Sequence, residues 1–378
     1  NLTAALPDTL QFWNEILEHP DYHEYWNERS LEPYLNDIDP AILVVGGEFD
    51  TDDCYGALNT YKLIRENSQQ TDLHFVYGPW THGGWHNADY EGLGDRKFGK
   101  NLSRYFMEKI EYPFFRYYLE GKGKRPEPVY LFASGSEEWQ VMEKWPADGI
   151  DYTPLYFSEN SSLSFDQPLE LQSSATYISD PLSPVPFMED ASRRNNAYMV
   201  ADQTFASLRS DVLTYTSPVI EETLKLHGPL QVRLDLAISS EDADIVVKFI
   251  DVHPDGYQML VRGDVFPIRY RHGYDCPVKA NPGEILHLEF TMNDIAHWVL
   301  PGHKMMIQVQ SSWFPLVNLN PQTYLTNIYK ADQEDYISSE IRCRNRNWLK
   351  DSPQKILTIL AIPFGLLQYL YISYRVSR

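Results

Sequence analysis

Two residues of this 378-residue chain stand where a turn after an apolar run delivers a side chain able to do chemistry. Asp50 follows the run 41–45 and Gly46-Gly47; His82 follows the run 73–76 and Gly78-Pro79. An imidazole can take a proton from a hydroxyl, and a carboxylate can hold its tautomer and stabilise the imidazolium, so the pair suits the base half of a nucleophilic acyl-transfer site. Residue type and spacing alone fit an ordinary surface Asp and His on neighbouring loops equally well. Asp52 and Asp53 follow Asp50 closely. From their own position they read as a solvated pair at a helix start, where acidic side chains complement free N–H groups.

The elements that must position these residues are legible around them. Both apolar runs are short and bounded by turns, as buried strands are. Between them, residues 55–67 place Tyr55, Leu58, Leu63 and Ile64 at helical spacing. Strand–helix–strand predicts two parallel neighbours in an α/β sheet, with the polar loops beyond their C-terminal ends forming the site. Asp before His in the chain is also the order of the last two members of the α/β-hydrolase triad.

Residues 1–38 read as a helical, aromatic-rich segment in which Trp13, Tyr22 and Trp26 are packing residues, with a pocket-lining role open to one of them. Residues 39–125 form the α/β segment. It ends in a helix over 101–120 with Leu102, Tyr105, Phe106, Ile110, Phe114, Tyr117 and Tyr118 on its apolar face, kinked or divided by Pro113. Residues 126–337 change character: short β-type runs recur between turns, and QVRLDLAI puts Val232, Leu234, Leu236 and Ile238 on one face. Strands at this spacing without helices predict an all-β sandwich of jelly-roll type. Residues 338–378 break the pattern. A basic stretch precedes Ile356 to Tyr374, a run without charge and long enough for a membrane span. Two readings stay open for this tail, a membrane span or an out-of-frame translation; the abrupt change of composition favours the second.

A formal net charge of −21 argues against nucleic acid or an anionic membrane surface as partner. Cys54, Cys276 and Cys343 show neither metal spacing nor a disulfide framework, and the eleven histidines contain no HExxH or other paired ligand pattern. No catalytic zinc and no cofactor are therefore predicted. The chain opens on Asn1 without a signal peptide and reads as a piece of a longer protein.

A series of motifs resembles one family in one order. FWNEILEHPDY with EYW resembles the helices ahead of that family's Asp strand; VVGGEFDTDDCYGA, the turn of its triad Asp; GPWTHGGW, the turn of its triad His. IEYPFFRYYLEG, SGSEEW, Trp145-Pro146, the run YTSPVIEETLKLHGPLQ through DVHPDGY, PGHKMMIQVQSSWFP and NIYKAD follow, over roughly residues 8–337. Together they resemble the C-terminal part of the α-amino-acid ester hydrolase and cocaine esterase group, serine acyl hydrolases related to X-Pro dipeptidyl-peptidases. The resemblance implies the C-terminal part of a doubly wound α/β-hydrolase sheet with preceding cap-type helices, followed by an all-β jelly-roll sandwich. It puts Asp50 and His82 on the triad Asp and base, and Asp52 and Asp53 on the acidic residues that bind a substrate's α-ammonium group. It implies a small-molecule ester or amide of an α-amino acid as substrate, β-lactam-type acyl groups included, and a secreted or periplasmic location. A homo-oligomer is open.

The chain departs from that pattern in two places. No G-x-S-x-G occurs in it, and Ser134 and Ser136, after His82 and at the start of the predicted β domain, do not suit the elbow. The nucleophile and oxyanion donors are therefore expected upstream of Asn1, and this chain by itself is expected to be inactive. A sandwich should also close with one more amphipathic strand, which the tail after residue 337 does not offer. An X-Pro dipeptidyl-peptidase, a glutaryl or benzoyl esterase, and a non-catalytic β-sandwich binding module on a hydrolase fragment remain as alternatives.

Overall fold

The computed structural model describes residues 11–147, 153–166, 172–346 and 357–359. Strand β1 (Ile42–Gly47) and strand β2 (Leu73–Gly78) pair in parallel, with Val44 opposite Phe75 and Gly47 opposite Gly78. The helix Cys54–Asn67 crosses between them. Its buried face is Ala57, Leu58, Tyr61 and Ile64, while Tyr55 of the predicted face points outward. That face packs on Val44, Phe75, Tyr77 and Leu131.

The sheet does not stop at β2. Val129–Ala133 adds in parallel to β2, with Phe75 opposite Val129, and Glu138–Met142 adds antiparallel to that. The sequence by itself places residues 126–337 in the sandwich. All five residues of Val129–Ala133 are buried, as in a strand covered on both faces, and a five-residue apolar run does not reveal by itself which sheet it joins. Ser134 therefore directly follows a strand of the α/β sheet instead of opening the β domain.

The second face of this sheet is covered by the helical run 102–120. It comprises Leu102–Tyr105, a π-helical stretch Phe106–Glu111, and Tyr112–Glu120 with Pro113 in its first turn. The ring of Pro113 cannot accept the tight i−4 pairing of an α-helix, and the widened turn just ahead of it absorbs the misfit. Leu102, Phe106, Ile110 and Phe114 face inward, whereas Tyr105 is partly exposed.

Apart from a two-stranded hairpin, Gly92–Leu93 with Arg96–Lys97, the remaining strands among the described residues pair in one continuous system of eleven. Leu224–Ile238 and Leu286–Val299 pair along most of their length; Asp244–Val252 lies between Gln258–Pro267 and Lys304–Gln310. Leu226, Val232, Leu234, Leu236 and Ile238 from the first pair share a core with Ile245, Val247, Phe249, Ile307 and Val309 from the second group, so the strands face one another in two layers. Val246, Ile250, Leu260 and Met306 turn the other way and join Trp80, Phe106 and Phe132 in a cluster common to both halves.

The boundary at residue 337 is corrected too. Ser339–Arg346 is a strand, paired with Gln172–Ser179 and with Leu224–Ile238. Ser339, Ile341 and Cys343 are buried, Glu340 is half-buried and Arg342 is exposed, a period-two pattern masked by the charges at the alternate positions. Leu357–Ile359 also pairs, with Thr153–Ser158 and Leu224–Ile238. The rest of Ile356 to Tyr374 lies outside the described residues; among the described residues no helix is long and apolar enough to cross a membrane.

Candidate active site

Asp50 and His82 meet because the exits of β1 and β2 are tied to each other through the backbone. Glu48 N donates to Gly78 O at 2.8 Å, and Phe49 N to Trp80 O at 3.1 Å. This close approach needs glycines: a Cβ on Gly47 would collide with the Trp80 carbonyl, and one on Gly78 with the Trp80 ring. That ring is fully buried against Phe106 and Trp139, so the His82 turn is anchored from beneath.

The Asp50 carboxylate is almost fully buried and saturated. Oδ1 accepts from the backbone N–H of Asp52 at 2.9 Å and of Asp53 at 3.0 Å; Oδ2 accepts from His82 Nδ1 at 3.0 Å. A carboxylate can only accept, so the Nδ1 proton is fixed there and Nε2 carries the lone pair of a general base. The His82 side chain is 58% exposed and lies edge-on to Trp85, presenting that nitrogen to the open side.

Asp53 occupies the N-cap position of the helix Cys54–Asn67, its carboxyl lying over Gly56. Burial, and after it the charge of Asp50, pushes that carboxyl above its ordinary range. Asp52 is exposed and ion-paired with Arg194, which also donates to Thr51 Oγ1 at 3.2 Å. The structure thus places Asp50, Asp52 and Asp53 on the turn after β1 and His82 on the adjoining turn after β2. Arg194 was missed; it comes from a distant loop and no local pattern singles it out.

Behind the turn lies a buried polar knot that sequence reasoning also missed. Arg262, on Gln258–Pro267, donates to Glu48 O at 3.1 Å, to Asp294 O at 3.0 Å and to Cys54 Sγ at 3.0 Å. Glu48 is fully buried; its Oε1 accepts from Ala296 N at 3.1 Å and its Oε2 has no partner. Burial raises its carboxyl to about 7, with Arg262 acting in the other direction. The folded state therefore prefers the neutral acid. Its contribution to stability is present below about pH 4.5 and lost as pH rises through about 7. Glu48→Gln should flatten that part of the melting curve and stabilise the protein at pH 8 by up to about 3 kcal/mol, measured as the variant-minus-parent difference in Tm across pH 5–8. An unchanged difference across that range would show that Glu48 is ionised throughout.

A second Ser–His–Asp array exists in the molecule. Ser134 Oγ lies 2.9 Å from His297 Nδ1, and His297 Nε2 donates to Asp251 at 3.1 Å. Ser134 and His297 are fully sealed and Asp251 nearly so. The array cross-links the α/β sheet to the β layers and no acyl group can reach it.

Comparison with known proteins gives a consistent result. Residues 1–84 match the X-Pro dipeptidyl-peptidase (S15 family) model, and residues 112–353 match the X-Pro dipeptidyl-peptidase C-terminal non-catalytic domain. Asp50 and His82 fall within the first match. Cocaine esterase of Rhodococcus sp. (strain MB1 Bresler) is 29% identical over 325 residues, covering 82% of this chain and 55% of that protein. The crystal structure of an aminopeptidase from a marine sediment Thaumarchaeota archaeon superposes with TM-score 0.87 at 31% identity, covering 95% of this chain and 61% of that one. A selenomethionine-labelled α-amino acid ester hydrolase superposes with TM-score 0.85 at 30% identity, covering 94% and 61%. The chain thus spans about half to three fifths of the length of these relatives.

Proposed function

The chain belongs to the X-Pro dipeptidyl-peptidase family of hydrolases, alongside cocaine esterase and α-amino acid ester hydrolase, and we propose that the intact protein is a serine acyl hydrolase acting on esters or amides of α-amino acids. The observation that carries this reading is the Asp50–His82 pair, with Nδ1 committed to the carboxylate and Nε2 open, directly beside Asp53. The four-stranded sheet is read as the C-terminal part of an α/β-hydrolase sheet, and the eleven-stranded system as a jelly roll; two layers about one core support the latter. β1 is the edge of its sheet, where strands from an upstream segment would add.

In this reading the upstream segment brings the serine. His82 Nε2 takes the proton from its hydroxyl as the hydroxyl attacks the carbonyl, and Asp50 stabilises the imidazolium. The same nitrogen returns the proton to the leaving alcohol or amine, and then takes one from the water that releases the acyl group. Asp53, already strained toward the neutral form by burial and by Asp50, recovers that cost when an ammonium group settles against it.

The test compares an α-amino-acid ester with the same ester lacking the amino group. Asp53→Asn should raise KM for the first by about 10- to 100-fold and leave the second unchanged, the value of one charge-assisted hydrogen bond. Equal effects on both substrates would remove the ammonium role. One observation favours a second reading, an esterase for plain or acidic acyl groups: Arg194 already pairs with Asp52. Arg194→Ala separates the two. Under the first reading it frees a carboxylate and lowers KM for amino-acid esters; under the second it removes a substrate contact and raises KM for acidic acyl esters.

A further inference from the structure

The sequence contains no HExxH motif and predicts no catalytic zinc. The fold nevertheless gathers three ligand side chains well away from Asp50 and His82 in the chain. Asp251 is the last residue but one of the strand Asp244–Val252, His253 opens the tight turn after it, and His303 precedes the strand Lys304–Gln310. One ligand atom from each lies within 4.8 Å of the others.

The details suit an ion. His303 Nδ1 is 2.8 Å from Asp251 Oδ1, and His253 Nε2 is 3.7 Å from Asp251 Oδ2. Two ligands each about 2.1 Å from a tetrahedral ion stand about 3.4 Å apart, between these values. The His253 and His303 rings lie 4.5 Å apart at 40°, neither stacked nor edge-on. His253 Nε2 is sealed from solvent and has no hydrogen-bond partner, which is costly for a polar atom placed beside a carboxylate and a second imidazole. Asp251 is held in orientation by His297, itself bonded to Ser134, the support that ligating carboxylates need. Both histidine side chains keep a little exposure, 13% and 12%, so a water can complete the set. By charge, Arg96 opposes a cation at His253 and Asp255 favours one.

We propose that Asp251, His253 and His303 form a binding site for one zinc-type divalent transition-metal ion, which pins the turn 253–257 to the start of the neighbouring strand and, through His297 and Ser134, to the α/β sheet. Two imidazoles and one carboxylate with an open position are a donor set for such an ion and not for calcium or magnesium, which take oxygen ligands.

Titration of zinc chloride into the EDTA-treated intact protein should show one saturable site and a rise in Tm. His253→Gln breaks no hydrogen bond at Nε2 and should fold; it should weaken zinc binding by about 100-fold or more and abolish the rise in Tm. His303→Gln should do the same, and if loss of its bond to Asp251 prevents folding, His253→Gln decides alone. His82→Ala, which alters the other Asp–His cluster, should keep the site. Absence of saturable binding, binding indifferent to His253→Gln, or binding lost in His82→Ala overturns the proposal.

Discussion

Replacing His82 by Ala in the intact protein is expected to lower kcat by roughly 10⁴-fold or more, with a much smaller change in KM. The size follows from the geometry. Asp50 spends both oxygens on the turn and on His82 Nδ1, so no other described group is placed to take the proton that His82 Nε2 would take. Asp50→Asn should cost nearly as much, because an amide NH₂ facing Nδ1 favours the tautomer whose Nε2 carries the proton and can no longer act as base. The amide oxygen still accepts from the Asp52 and Asp53 N–H groups, so the turn itself should be retained. Single-turnover kinetics with an activated ester measure both. Activity within tenfold of the parent in His82→Ala would sink the triad assignment, whereas a loss confined to KM would move His82 from chemistry to binding.

The second large effect is structural. Arg262→Ala should cost about 3–5 kcal/mol, because it strips the Glu48 and Asp294 carbonyls and Cys54 of a shared, charged donor in a site closed to water. A fall in Tm of roughly 5 °C or more is expected. Arg262→Lys should recover little, since a single ammonium cannot reach carbonyls and a sulfur that the planar guanidinium bridges in different directions. The Glu48 carbonyl belongs to the turn that presents Asp50, so kcat should fall as well at temperatures where the variant is still folded. A Tm unchanged by Arg262→Ala would mean that the knot does not couple the two halves.

The strands and turns that carry the four candidate residues were legible in the sequence because those elements are local, whereas the roles given to Asp52 and Asp53 came from the family resemblance and not from their spacing. Two apolar runs, glycines at the strand exits and a helix between them dictate a parallel pair with its loops on one side, and Asp50, Asp52, Asp53 and His82 follow within a few residues of those strands. The alternation in Leu224–Ile238 was equally readable, since a strand buried on one face writes its period into the chain. The alternation of buried Ser339, Ile341 and Cys343 with Glu340 and Arg342 carried the same period but was outweighed by the composition of that stretch. Membership of Val129–Ala133 in one sheet or the other was not written locally at all: a strand buried on both faces looks the same wherever it pairs. Tertiary structure alone decided what meets across long separations. Arg262 reaches Glu48, Arg194 reaches Asp52, Ser134 reaches His297, and His253 and His303 converge on Asp251. None of these contacts is betrayed by a motif: those of Arg262 and Ser134 depend on how the β layers dock against the α/β sheet, and the convergence of His303 on Asp251 and His253 depends on which strands pair within those layers, while apolar faces specify burial without naming a partner.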